Sequence, residues 1–216
     1  MTIKNAIHWL STVLETPAII ILIIAVIIVL IELGSIIVEY LYGRLRHRED
    51  ATDVLEQMKG RNADGIRAIL EKSRFPKAFR NDFNKVLDNE DMPKSVAEVF
   101  AAQIITAEEH KKQMIMNVTD IIARIGPMFG LMATLIPLGP GLLALGQGDT
   151  KTLADSLLTA FDATVAGLAA AGVAFIISRI RRKWYESDLS DLNSVMEAIL
   201  EETYLEPREE AQDAKK

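Results

Sequence analysis

The sequence predicts an all-α integral membrane protein: three transmembrane helices with long cytoplasmic helical extensions. Three observations lead there. Half of the 216 residues are hydrophobic, yet mean hydropathy is only +0.18, because three stretches are nearly free of charge and the charged residues crowd between and after them. The lysines and arginines gather at particular ends of those stretches. The charged segments carry apolar residues at helical spacing and no alternating pattern.

The first stretch, Ala18 to Val38, holds one charge, Glu32. It is long enough to cross a hydrocarbon core of about 30 Å as a helix. Residues 17–41 are therefore read as the first span, with Pro17 in its opening turn and residues 1–16 as an outer segment. The apolar run is too long for a cleaved leader, and no small-residue cleavage site follows it. The second span is placed at residues 121–147 and the third at 153–179. The short, Gly-rich link between them, residues 148–152, reads as a tight outer turn joining antiparallel helices. Pro127, Pro137 and Pro140 fall inside the second span, where a membrane helix tolerates them as local kinks.

Orientation follows from Lys and Arg. Arg44 to Arg48, "RLRHR", follows the first span, and Arg179 to Lys183, "RIRRK", follows the third, whereas the outer turn carries only Lys151. The positive-inside rule then puts the N-terminus outside and the C-terminus in the cytoplasm. Residues 42–120 form a cytoplasmic helical region of short amphipathic pieces broken at Gly60, Asn62 and Pro76. From Pro93 a longer helix, apolar at Val96, Val99, Phe100, Ile104 and Ala107, runs straight into the second span. Residues 180–205 extend the third helix into the cytoplasm, with Leu189, Leu192, Met196 and Ile199 on one face, and the charged tail 206–216 reads as disordered.

Several functions are excluded. The chain has no cysteine, so disulfides and thiol catalysis are absent, and His8, His47 and His110 form no metal-ligand spacing. A net charge of −6 drawn from both signs gives no nucleic-acid footprint. There is no hydrolase triad, phosphate loop or metal motif, so the protein is read as no enzyme and as needing no cofactor.

The spans carry the informative pattern. At 100° per residue, Ser156, Ala160, Ala163, Gly167, Ala170, Ala171, Ala174 and Ser178 share one face of the third span. Gly126, Gly130, Ala133, Pro137, Gly141, Ala144 and Gly148 share one face of the second. Small residues at steps of three and four let helices approach closely. Two such faces on adjacent spans suggest an inner wall against which another helix packs; taken singly, each face is equally well explained as helix–helix glue. Thr134 and Thr164 sit at the same edge of their respective faces. A lone threonine usually bonds back to its own helix, and it is the paired placement that points to an ion pathway. Asp162 lies on the opposite flank from Thr164, with Thr159 on its own side one turn earlier. About ten residues in from the turn, it falls near mid-membrane. An acid there costs roughly 2.5–3.5 kcal/mol on insertion scales, so it is expected to face protein or water, either as a structural hydrogen-bonded group or as a titrating one. Glu32 and Glu39 receive no role.

At these residues the chain resembles the MotA/TolQ/ExbB proton-channel family. Members related to TolQ and ExbB carry "GLxGTVxG" in the second span, where this chain has "GLMATLIP", Gly130 to Pro137. They carry "ATAxGL" in the third, matched by "ATVAGL", Ala163 to Leu168. The motif threonines map onto Thr134 and Thr164. Ala133 and Pro137 replace two motif glycines, and Val173 stands in place of a proline. The membrane glutamate of those members falls at Thr159, so Asp162 is read as taking over the acid's role, displaced by less than one turn.

The resemblance implies a homopentameric stator in the cell (inner, cytoplasmic) membrane. Its central hole would hold a dimer of single-span partner helices resembling MotB, TolR or ExbD. Inward proton or sodium flow past Thr134, Thr164, Asp162 and Thr159 would drive rotation. Gly126, Gly130, Ala133, Pro137, Gly141, Ala160, Ala163, Gly167 and Ala171 would line the pore and contact the partner. The competing reading is a non-conducting membrane scaffold whose small-residue faces are oligomer interfaces only. A transporter or insertase is favoured only by the second span's prolines.

Overall fold

A computed structural model describes residues 3–44, 51–89 and 91–204, all of whose regular elements are helical. The helices are α1 (Ile3–Val38), continued by a π-helical turn (Glu39–Arg44), α2 (Ala51–Met58), α3 (Ala63–Lys72), α4 (Lys77–Leu87), α5 (Lys94–Gly146) and α6 (Thr150–Tyr204). Three of them are long and apolar enough to cross a membrane, which makes this a multi-pass membrane protein. At 1.5 Å per residue, α5 with 53 residues and α6 with 55 are each about 80 Å long, far more than a bilayer core requires. The expected long helical extensions are thus continuous with the spans. The tail expected to be disordered, 206–216, lies outside the described residues, as do residues 45–48 of the first basic run.

Local chemistry sets the boundaries. Gly60, at φ +67°, closes α2 in the left-handed conformation that glycine adopts without strain. The Asn62 side chain accepts from the Gly65 amide at 3.1 Å and opens α3, and Pro76 precedes α4. The breakers read from the sequence therefore act as expected. Pro17 does not: α1 begins fourteen residues before it, and the proline sits inside the helix. Residues 3–16 contain no glycine or second proline, so nothing stops the helix there, and one proline removes only one backbone bond.

The chain divides into two compact units. The first comprises α1 to Ile37 and the segment Met114–Arg182. Within it α5 and α6 form an antiparallel hairpin whose small-residue faces meet. A methyl group added to Gly167 would stand 2.9 Å from both the Gly126 carbonyl oxygen and the Gly130 Cα. One added to Gly126 would lie 3.1 Å from the Ala171 Cβ, and one on Gly141 would lie 3.1 Å from the Ser156 Cβ. The two backbones are in contact along this seam. Helix α1 packs on one side of it, with Ala25 and Val29 against Ile122, Ala170 and Ala174.

The second unit comprises Val38–Gln113 and the chain from Lys183 onward. Its core joins Met58, Ile66, Leu70 and Phe83 of α2–α4 to Leu192, Met196 and Ile199 of α6, the face that the periodicity picked out. On α5 Ala97 and Ala101 are buried and Phe100 and Ile104 of the predicted face pack against the core, whereas Val96 and Val99 are exposed. Lys112 is buried here: its Nζ lies 3.2 Å from Asp188 and 4.9 and 5.1 Å from the Phe79 and Tyr185 ring centres. This lysine thus ties α4, α5 and α6 together by charge and ring contact.

The seam makes a direct prediction. Gly167→Ala forces backbone apart and destabilises the hairpin by about 1–3 kcal/mol, the usual cost of overpacking. Gly172→Ala, whose methyl would meet no atom within 4 Å, leaves stability unchanged or slightly raised. Unfolding of the purified protein in mixed detergent, followed by tryptophan fluorescence, compares the two.

Candidate ion pathway

In the single chain the small-residue faces of α5 and α6 meet each other. Gly126, Gly130, Ala133, Pro137 and Gly141 of α5, and Ala160, Gly167 and Ala171 of α6, are buried, with Ala163 half-buried. What buries them is the other helix of the same chain. Within one chain, small side chains on two antiparallel helices joined by a three-residue turn pack against each other. The surfaces that remain for ions or partners are the flanks of the seam.

Thr134 and Thr164 lie on one such flank, both half-buried. On α6 the line Ala160, Gly167, Ala171 separates Thr164 from Ala170 and Ala174, the residues that carry α1. The threonine side of α6 therefore faces away from α1. The Thr164 Cα is 3.7 Å from where a Gly130 methyl would stand, so this residue borders the closest approach of the two helices. Thr134 Oγ1 donates to the Leu131 carbonyl at 2.7 Å. With its proton engaged, the oxygen keeps lone pairs that can accept from water or face a cation.

The structure does not bring Asp162 to the threonines. Two residues apart on a helix, Asp162 and Thr164 point some 160° away from each other. Asp162 is exposed among Leu158, Phe161 and Val165, which are 62%, 64% and 66% exposed. No hydrogen bond or ion pair engages it among the described residues. Thr159 is exposed as well, and its hydroxyl donates to the Asp155 carbonyl at 3.0 Å, not to Asp162. The acid thus sits on the outward apolar side of α6, and nothing in the single chain covers it.

Several charged groups elsewhere in this unit are engaged. Arg181, only 2% exposed, donates to Glu32 and, at 2.9 Å, to Ser35 Oγ. Arg182 donates to Asp120 at 2.9 Å, and Ser178 donates to the other oxygen of the same carboxylate. Glu32, given no role from sequence, is the counter-ion of a buried arginine. Two cues bear on this: Glu32 is the lone charge of the stretch Ala18 to Val38, and "RIRRK" offers more arginines than an interface needs. The sequence holds no register between α1 and α6, so neither cue names the pair.

At the turn, Gly148 adopts φ +83° and Asp149 caps α6. Its carboxylate accepts from the Thr152 hydroxyl at 2.6 Å and the Thr152 amide at 3.0 Å. The hydroxyl bond, then the amide bond, hold the Asp149 carboxyl below the usual carboxylate range.

The model of the MotA/TolQ/ExbB proton channel family matches residues 55–194, from α2 through most of α6. No curated protein matches the chain.

Asp149→Asn keeps the turn but weakens the cap, and the Thr152 amide then exchanges faster with deuterium. The sign with pH follows from the lowered pKa: the cap's contribution is full above the ordinary carboxylate pKa and is lost as pH falls through the lowered value. The exchange rates of parent and variant, corrected for the intrinsic pH dependence, therefore converge in acid.

Proposed function

We propose, from the premise that the chain belongs to the MotA/TolQ/ExbB proton channel family, that it is a subunit of a homopentameric channel that couples inward proton or sodium flow to mechanical work. It sits in the cell's inner membrane with the N-terminus outside and the C-terminus in the cytoplasm, and it acts with a single-span partner dimer resembling MotB, TolR or ExbD. The observation that carries this reading is the pair Thr134 and Thr164, half-buried on the one flank of the α5–α6 seam that α1 leaves free. The arginine-rich end of α6 and the nearly uncharged turn support the orientation.

In this reading the partner helix lies along the threonine flank rather than on the small-residue faces. The glycines and alanines act indirectly: by holding α5 and α6 at backbone contact they keep the two hydroxyls at a fixed spacing. Each charge that crosses releases about 2.3 kcal/mol per 100 mV, so a few crossings supply the work of a step. Hydroxyls suit this pathway because they hold water or an ion without a fixed charge that would trap it. Asp162, on the other side of α6, is covered by a neighbouring copy or by the partner, and serves there as the titrating acid. Gly126, Gly130, Ala133, Pro137, Gly141, Ala160, Ala163, Gly167 and Ala171 are the frame of the path.

The scaffold reading gives the opposite expectation for the threonines. In vesicles holding this chain and its single-span partner, Thr164→Val and Thr134→Val lower ion flux by roughly tenfold or more, equivalent to about 1.4 kcal/mol or more of barrier, without loss of assembly. Asp162→Asn does the same if the acid titrates. Flux unchanged in all three variants favours the scaffold.

A further inference from the structure

We infer that Arg181 and Arg182 together form a rotational lock on α6 that sets which way Thr164 points; the functional meaning of the lock rests on the channel reading above, but its existence does not. The two arginines are consecutive, so they leave the helix about 100° apart. Arg181 is drawn to α1 through Glu32 and Ser35, and Arg182 is drawn to α5 through Asp120. Rotation of α6 in one sense breaks the first set of bonds, and rotation in the other breaks the second. Ser178, one turn earlier, adds its own bond to Asp120 and is almost fully buried.

The rest of the unit needs such a device. The seam is made of glycine and alanine, which fix how close α5 and α6 come but present few projections to resist turning. The α1 contact, Ala25 and Val29 with Val26 and Ile28 against Ile122, Ala123, Ala170, Val173 and Ala174, is apolar and carries no directional bond. The polar bonds at Arg181 and Arg182 are the directional ones, and a buried guanidinium with a carboxylate partner is costly to pull apart.

The helix also transmits what the lock fixes. Thr164 precedes Arg182 by eighteen residues, which is five turns at 3.6 residues each, so the two lie on one line of α6. No proline interrupts α6 from Thr150 to Tyr204, whereas α5 contains three. A phase set at the arginines is therefore carried to the threonine without a soft joint. Arg181 and Arg182 are positioning residues: neither is placed on the ion's route.

The absence of cysteine allows a direct test. Nitroxide labels at single cysteines introduced at the exposed or half-buried positions 165, 166, 168, 169, 172 and 173, in the full chain in vesicles, give an oxygen-accessibility profile with helical period. Its phase reports the azimuth of α6, and in the parent it peaks at the exposed positions 165, 168, 169 and 172. Glu32→Gln or Arg181→Gln is expected to shift the phase in one sense and Arg182→Gln in the other. Exchanging the charges, Glu32→Arg with Arg181→Glu, is expected to restore it. General loosening would flatten the profile without shifting it, and that result overturns the lock. So does a phase that stays fixed in the single variants, or an exchange that fails to restore it. Ion flux measured in the same vesicles separates the two ideas: a shifted phase with no flux even in the parent sinks the channel reading and leaves the lock standing.

Discussion

Backbone contact between α5 and α6 is the constraint on which the first unit depends. At Gly167 there is no room for a side chain, because a methyl there would stand 2.9 Å from the Gly126 carbonyl oxygen and from the Gly130 Cα, and at Gly126 a methyl would be tight against Ala171. In lipid, apolar side chains gain little by leaving one solvent for a similar one, so close dispersion contact over a long seam is what holds two helices together. Everything functional in this unit is placed relative to that seam. Thr134 and Thr164 border it, α1 lies along one side, and Asp162 is turned away from it.

The seam also decides which chemistry each surface can host. A face of glycine and alanine looks from sequence like a vacant wall, but in the chain it is the most thoroughly covered surface of the unit. The open surfaces are the flanks, and they differ. One presents the hydroxyls of Thr134, whose proton is engaged by the Leu131 carbonyl, and of Thr164, groups suited to neutral, transient coordination. The other side of α6 presents a carboxylate among leucine, valine and phenylalanine, a group that must acquire a neighbour once the apolar surface around it is covered by anything but water. The division of labour between the hydroxyl flank and the acid is a consequence of 100° steps on one helix.

Much of this was legible in the sequence because it follows from local pattern. The three spans, the tight turn, the continuous α5 and α6, and the breaks at Gly60, Asn62 and Pro76 rest on apolar length and backbone chemistry. The edge position of the threonines follows from helical angle alone. What was not legible depends on pairing between distant segments. No spacing rule says that Glu32 answers Arg181 across 149 residues, or that Lys112 is enclosed by Phe79, Tyr185 and Asp188. Nor does small-residue periodicity say which helix it faces. The two stripes were legible as close-packing surfaces, but a sequence shows a surface without showing what covers it in the folded chain. Pro17 was placed at a helix start because its local preference was given more weight than the lack of any stop signal before it.

The link between α5 and α6 spans only Gln147 to Asp149, and this brevity bears on how the protein is made. A loop so short cannot leave one helix threaded through the membrane while its neighbour waits in water. The two helices enter the bilayer together as a hairpin whose connecting turn carries only the charge of Asp149, with Lys151 at the start of α6. The glycine contacts can then form as soon as the two helices are side by side, before any second copy is available to compete for the same face.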